Sequence, residues 1–283
     1  MKIAVTSASG QLGRAIAQKA IDEFGKDNVI GLARTPEKAS DLGIEIRKGD
    51  YNSKEDFLLG LQGVEVVVLI SGMDLPEKRI QQHRNVIEAA KENGVRKMVY
   101  TSIFGEAGKC AFDAIINSNR QTEKDIMESG LEYAIGRNGL YIEPDIEYLD
   151  EYKKAGAIVN SAASGKCGYT TRKELAEAYV SLIKNDALNG GIYKLFGESI
   201  TQQELAEAIN AAFGTHLQYS AISVEAYKKD RTDAYGEVFG GIIGGIYEGI
   251  RNGAFVGTSD FETVTGRKHQ SIADYLEAIK AEG

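Results

Sequence analysis

Cysteine is scarce in this chain, with only Cys110 and Cys167. Two thiols do not make a disulfide framework, so a small secreted scaffold is excluded and a reducing, cytoplasmic setting is expected. Histidine is nearly as scarce. His83, His216 and His269 stand far apart, and neither H-x-x-x-H nor C-x-x-C spacing occurs, so a metal site is not expected. There are three prolines and no Pro-rich or low-complexity stretch that would divide the chain. No apolar run approaches the roughly 20 residues of a membrane-spanning helix, and "VEVVVLI" at 64–70 is strand-sized. "MKIAV" enters a strand directly, with no signal peptide before it. An excess of basic residues is also lacking. The net charge of -8 argues against a partner held by neutralised phosphates, so neither nucleic acid nor membrane is an expected partner.

What is present is ordinary globular material. With 43% hydrophobic and 26% charged residues over 283 positions, the chain has enough for one large domain or two closely associated ones. The first half alternates short apolar runs with amphipathic stretches. Strands are predicted at "KIAVT" (2–6), "VIGLA" (29–33), "IEIRKG" (44–49), "VEVVVLI" (64–70), "KMVYTS" (97–102) and "EYAIGR" (132–137), with helices at about 11–24, 35–41, 53–61, 76–93 and 119–129. The runs are continuous in Val and Ile rather than alternating, as in strands covered by helices on both faces of a parallel sheet. The expected fold is α/β, a doubly wound parallel sheet.

The second half changes character. Strand candidates become sparse, at "AIVNS" (157–161), "GIYKLF" (191–196) and "HLQYSA" (216–221), and helices dominate. "TQQELAEAINAAF" opens with Thr201 and has Glu204 three residues later, a capping box, and Ser223 opens "SVEAYKKD" in the same way. The expected division is a nucleotide-binding domain over 1–138 and a smaller, mainly helical α/β region on the substrate side over 139–283, with 171–197 returning to the main sheet. "GGIIGGIYEGI" (240–250) has Phe239, Ile243, Ile246, Tyr247 and Ile250 at helical spacing. It reads either as a helix whose small residues admit a close neighbour or as a mobile cover over the site.

"VTSASGQLGRAIAQ" (5–18) carries the first functional signal. A strand, a turn and a helix from about Gln11 put residues 7–13 at the carboxyl end of the first strand, where open α/β sheets bind ligands. Free N–H groups and the dipole of the helix suit a pyrophosphate. Gly10 would let the phosphate approach the backbone and Gly13 would let helix and sheet pack closely, with Thr6 and Leu12 flanking the turn. The glycine pattern is incomplete, because Ser7 stands at one expected glycine and Ala8 at another. Two glycines alone do not separate a cofactor loop from a plain tight turn.

The following strand ends add context. After the second strand come Ala33 and Arg34, with Lys38 a turn further on, where an NAD site would carry Asp or Glu. A guanidinium there favours a 2′-phosphate, so NADPH is the expected cofactor. Asp50 and Tyr51 end the third strand and would lie near adenine. Ser71 and Gly72 end the fourth and leave room for a ribose. Thr101 and Ser102 end the fifth, toward the nicotinamide. Asn138, beside Gly139, reads as a turn residue or as an amide facing the substrate, with Tyr141 one turn on.

"VTSASGQLG", "ARTPEKA", "GDYNS", "QHRNVIEAAKENGV", "YTSIFG" and "RNGLY" together resemble the NmrA-like branch of atypical short-chain dehydrogenase/reductases, and within it the quinone and triphenylmethane reductases. The resemblance covers most of the chain and is strongest over 1–140. It implies an NADPH-binding Rossmann-type domain, a smaller C-terminal domain and an active site in the cleft between them. It places pyrophosphate contacts on Ser9, Gly10, Gln11 and Leu12, the 2′-phosphate contact on Arg34, and Asn138 toward the substrate. The chain departs from its relatives in having Ser7 where they have glycine. Ordinary members of the wider group use Tyr-x-x-x-Lys as the catalytic acid pair, whereas this chain reads Asn119-x-x-x-Glu123. The nearer relatives tend to have histidine at the position of Asn119.

Ketone reduction and sugar-nucleotide epimerisation both lean on a positioned acid or base. A quinone accepting hydride becomes a delocalised hydroquinone anion, and a cationic triarylmethane dye becomes neutral, so such acceptors need mainly orientation. The expected function is hydride transfer from NADPH to a quinone-like small molecule by a monomer or homodimer. The alternative is an NADP(H)-binding redox sensor that does not turn over.

Overall fold

The computed structural model describes residues 1–282. Its first half contains β1 (Ile3–Val5), α1 (Gln11–Phe24), β2 (Val29–Ala33), β3 (Glu45–Lys48), α2 (Lys54–Gly60), β4 (Val66–Ile70), α3 (Pro76–Glu92), β5 (Lys97–Ile103), α4 (Asp113–Met127) and β6 (Glu132–Asn138). The second half follows with β7 (Leu140–Tyr141), α5 (Glu143–Glu147), α6 (Leu149–Ala155), β8 (Ala157–Asn160), β9 (Lys166–Thr170) and α7 (Arg172–Lys184). It ends with β10 (Ile192–Leu195), β11 (Ser199–Thr201), α8 (Gln202–Phe213), β12 (Gln218–Ala221), α9 (Val224–Arg251), α10 (Phe261–Thr265) and α11 (Ile272–Glu282).

The Val- and Ile-rich runs form a seven-stranded sheet in the order β10-β6-β5-β4-β1-β2-β3, with every pairing parallel. The six strands of the first half thus take the order 3-2-1-4-5-6 of a doubly wound sheet, and β10 extends it beyond β6. β1, β2 and β4 are buried along their whole length, which is why their sequences show no alternation. Leu12, Ile16, Leu175 and Tyr179 from α1 and α7 cover one face. Phe57, Val86 and Ile87 from α2 and α3 cover the other. Burying side chains of this size stabilises the domain by roughly 1.5–3 kcal/mol each.

Two small sheets complete the second half, β11-β9-β7 and β12-β8. β7, β9 and β11 were not foreseen from the sequence. Each is short, and Gly139 and Gly168 abut one another's backbone without side chains that would mark a period-2 pattern. Residues 36–42 form 3₁₀ turns rather than an α-helix, and α4 begins at Asp113, well before the predicted start. The capping box at Thr201 and Glu204 forms, and the Ser223 side chain caps α9.

α9 breaks at Gly236, where φ is +80°. The chain then folds back on itself. A Cβ on Gly240 would lie 2.4 Å from the Thr232 Cα. Gly240 and Gly244 therefore let the two helical segments approach closely, and Gly245 and Gly249 do the same toward Phe112 and Phe255, while Ile243, Ile246, Tyr247 and Ile250 of the same stretch line a cavity.

Candidate active site

The turn between β1 and α1 is built around one strained residue. Ser7 has φ +50°, the left-handed region, and its carbonyl accepts from the Gly10 N–H at 2.8 Å. A Cβ on Gly13 would sit 2.2 Å from that same carbonyl, so only glycine lets α1 start here. α1 has no side-chain cap and no acidic residue in its first turn. Its first N–H groups therefore lack helical acceptors, and Ser9, Gly10 and Gln11 are exposed around them. These features fit a pyrophosphate at the helix start. Leu12 is buried beneath the turn and contributes only backbone there.

Thr6 and Tyr51 hold this turn from below. The Thr6 hydroxyl donates to the Val68 carbonyl at 3.0 Å, accepts from the Ile70 N–H at 2.8 Å, and lies 2.7 Å from the Tyr51 hydroxyl. Tyr51 donates to the Ile70 carbonyl at 2.6 Å and receives the Ser7 hydroxyl at 3.2 Å. Burial pushes its phenol up to about 12, against the hydrogen bonds from Ser7 and Thr6. The hydroxyls of Thr6 and Tyr51, both expected at the cofactor, are engaged in this network beneath the turn.

Glycine at position 7 should relieve the strained φ, which costs roughly 1–2 kcal/mol for a residue with a Cβ, while adding freedom to the unfolded chain. Ser7→Gly is expected to raise unfolding stability by about 0.5–1 kcal/mol in urea titration and to leave NADPH affinity equal or tighter. A collapse of affinity would make the Ser7 hydroxyl a direct ligand.

Arg34 lies just past β2, exposed, with no hydrogen bond or ion pair among the described residues. Asp50 is partly spent. Its Oδ1 accepts from the backbone and side-chain N–H groups of Asn52 at 3.0 and 2.9 Å. At the end of β4 the Ser71 N–H donates to the Thr101 hydroxyl at 2.9 Å, and the Ser71 hydroxyl donates to Asn119 Oδ1 at 3.0 Å. The Gly72 N–H donates to His83 Nε2 at 2.9 Å. With that nitrogen accepting, Nδ1 carries the proton toward Thr122 at 2.8 Å. Burial, reinforced by Arg79, lowers His83 to about 3. It is a neutral clamp on the β4 loop, a role its helix position in the sequence did not reveal.

Asn119 and Glu123, on α4, are both buried at 2% exposure. Asn119 Oδ1 also accepts from the Tyr100 hydroxyl at 2.7 Å. Glu123 accepts from Ser102 at 2.6 Å, Arg120 at 2.7 Å and Arg137 at 2.5 Å. Burial alone would raise its carboxyl, but Arg137, Arg120 and Ser102 together hold it below the ordinary value. Ser102, expected near the nicotinamide, thus points its hydroxyl into this ion cluster, and Thr101 is buried as the acceptor for Ser71.

At the end of β6, Asn138 and Tyr141 come together. The Asn138 amide donates to the Tyr141 hydroxyl at 3.3 Å, and its Oδ1 receives the Tyr179 hydroxyl at 2.5 Å. Tyr179, from α7, therefore sets which way the amide faces. The Arg172 guanidinium sits 5.4 Å from the Tyr141 ring centre. From Leu140 and Tyr141 a cavity of about 480 Å³ runs into the second half of the chain, walled by tyrosines and isoleucines. Burial pushes the half-exposed Cys110 thiol up to about 11.

Comparison with known proteins gives consistent relatives. The NAD(P)H-binding family matches residues 7–186. Quinone oxidoreductase 2 of Escherichia coli is 32% identical over 225 residues, covering 78% of each chain. Triphenylmethane reductase of Citrobacter sp., solved with NADP(H), superposes with a TM-score of 0.91 at 30% identity, covering 98% of this chain and 99% of that one. A nucleoside-diphosphate-sugar epimerase from Staphylococcus aureus superposes with a TM-score of 0.91 at 26% identity, covering 98% and 100%. Among the described residues no helix is long and apolar enough to cross a membrane.

Proposed function

Because the chain belongs to the NAD(P)H-binding family, in its NmrA-like branch of atypical short-chain dehydrogenase/reductases, we propose that it reduces a quinone or similar flat conjugated acceptor with NADPH and without a Tyr–Lys acid pair. When bound, NADPH supplies the hydride. The first turn of α1, with Ser9, Gly10, Gln11 and Leu12, would hold its pyrophosphate. Arg34 would hold its 2′-phosphate. Asp50 has one carboxylate oxygen left for the adenine end, and Ser71 and Gly72 border the ribose.

The observation that carries the acceptor reading is the commitment of Asn119 and Glu123. Neither is available to give a proton to a substrate alkoxide, since one is an amide spent on Ser71 and Tyr100 and the other is an ionised carboxylate between two arginines. Epimerisation of a sugar nucleotide, the activity in one structural neighbour's name, would meet the same lack. A quinone avoids it. Two electrons arrive with the hydride, the product anion is delocalised, and water supplies the remaining proton. Asn138, its amide aimed by Tyr179, would donate to an acceptor oxygen, and Tyr141 would pack against the ring.

The test is an acceptor panel followed at the reduced-nicotinamide absorbance. Oxidation of NADPH is expected with simple quinones and not with aliphatic ketones. Asn138→Ala should lower kcat/KM for the quinone roughly tenfold, the loss of one hydrogen bond worth about 1.4 kcal/mol, with NADPH affinity unchanged. Robust ketone reduction would overturn the mechanism. Tight NADPH binding with no turnover on any acceptor would favour the sensor reading.

A further inference from the structure

Asp145, on α5, is a carboxyl with no basic partner. It is 4% exposed. Its Oδ1 accepts from the Tyr152 hydroxyl at 3.0 Å and its Oδ2 from the Tyr169 hydroxyl at 3.1 Å, and Tyr247 lies alongside. Phenols from α6 and β9 hydrogen-bond to it with a third, from α9, alongside, yet no Lys, Arg or His lies within ion-pair distance among the described residues. A buried carboxylate satisfied only by neutral donors retains its charge at a cost, and a cation in contact with it recovers that cost.

The carboxyl borders the cavity of about 480 Å³, together with the rings of Tyr152, Tyr169 and Tyr247. The wall continues with Tyr148, the buried Tyr227 and the exposed Tyr235. Aromatic faces attract cations through their quadrupoles, most strongly where water is excluded. The outer wall already shows this preference. The Arg231 guanidinium lies 5.4 Å from the Tyr227 ring centre and 5.6 Å from that of Tyr235, with its charge paired to Asp230. The inner half, against Asp145, has the same aromatic lining, a negative group and no resident cation. Glu151 is the other acidic residue on the lining, so the field along the cavity favours positive charge.

We propose that the Asp145 end of this cavity binds a small organic ammonium ion, its methyl or methylene groups against the tyrosine rings and its charge facing the carboxylate. A hydrated metal ion does not suit a wall so rich in aromatic and aliphatic side chains. A neutral hydrocarbon would leave the carboxylate uncompensated. None of the residues at the ends of β1, β2, β4 or β5 lines this cavity, whereas Tyr141, the proposed acceptor contact, does, so the ammonium site adjoins the acceptor position. The inference does not depend on the identity of the hydride acceptor.

Calorimetric titration of the full chain, with and without NADPH, tests it without any turnover. Choline is the probe, and neohexyl alcohol, in which carbon replaces the ammonium nitrogen, is its neutral counterpart. Choline is expected to bind at least tenfold more tightly than the alcohol. Asp145→Asn is expected to weaken choline at least tenfold while leaving NADPH affinity unchanged. Equal binding of the two probes, no binding of choline to protein that binds NADPH, or full choline affinity in a folded Asp145→Asn chain each overturns the proposal. If that variant fails to fold, the comparison of the two probes on the wild type still decides.

Discussion

Glu123→Gln is expected to be the most destabilising single-atom change near the site, lowering unfolding stability by about 3 kcal/mol. The replaced oxygen is one of two that serve Ser102, Arg120 and both donors of Arg137. Removing one member of a buried ion cluster leaves the others desolvated and unneutralised, which costs more than the cluster's net contribution. Both guanidinium groups retain some contact with solvent, at 25% side-chain exposure, which keeps the loss at the lower end of the range for buried pairs. The effect has a defined pH dependence. The folded-state carboxyl is held below its ordinary value, so its contribution is present above the unfolded glutamate pKa of about 4.3 and is lost as pH falls through the folded value. Urea unfolding at pH 7 should show the full difference between wild type and variant, and the difference should shrink in acid. A gap that stays constant from neutral pH into acid would mean that Glu123 contributes by packing rather than charge. The folded variant should still oxidise NADPH with quinones, because the carboxylate is not the proton donor.

The same cluster explains a limit of the sequence reading. Asn119-x-x-x-Glu123 reads, through the resemblance, as standing where other short-chain dehydrogenases have Tyr-x-x-x-Lys. That Glu123 would draw in Ser102, and so turn one expected cofactor contact inward, depends on Arg120 and Arg137 reaching it from α4 and β6. Nothing in the local spacing of a strand end reports such a partner. The hydroxyls of Thr6 and Tyr51 are engaged beneath the turn for a related reason. They stand at strand ends, as cofactor contacts do, and the left-handed turn at Ser7 needs support from beneath, which they supply.

The main sheet, by contrast, was legible because its strands are buried on both faces and their continuous Val and Ile runs have few other uses. The tyrosine-walled cavity was not. The helical spacing of Ile243, Ile246, Tyr247 and Ile250 marked one wall, but the rest comes from β7, α5, α6, β8 and β9, elements too short or too far apart in sequence to show a pattern. Asp145 and Tyr169 are 24 residues apart and meet only because β7 and β9 pair beside α5.

Arg34→Ala is expected to remove most of the coenzyme preference. Wild type should bind NADPH well over tenfold more tightly than NADH, and the variant should lose about 10- to 100-fold in NADPH affinity with NADH affinity nearly unchanged. The magnitude follows from charge-assisted hydrogen bonds of about 1.5–3 kcal/mol. Three features of the chain favour that full range. Arg34 is exposed and makes no hydrogen bond or ion pair among the described residues, with only the field of Asp74 acting on it, so little must be broken before it engages a 2′-phosphate. It follows a strand paired on both sides, with Ala33 buried, so its backbone is fixed although its side chain is not. Neither Asp nor Glu stands at 33–36 to hold a ribose 2′-hydroxyl in its place. Arg34→Lys separates charge from shape. A lysine keeps the charge but lacks the bidentate fork, and should recover part of the NADPH affinity and less of the discrimination. Titrations of wild type and both variants with each coenzyme, at low and at moderate salt, measure the effect, and the NADPH advantage should narrow with added salt because the site is exposed. Equal affinity of the wild type for the two coenzymes, or parallel losses for both in Arg34→Ala, would place the 2′-phosphate contact elsewhere in the loop after β2.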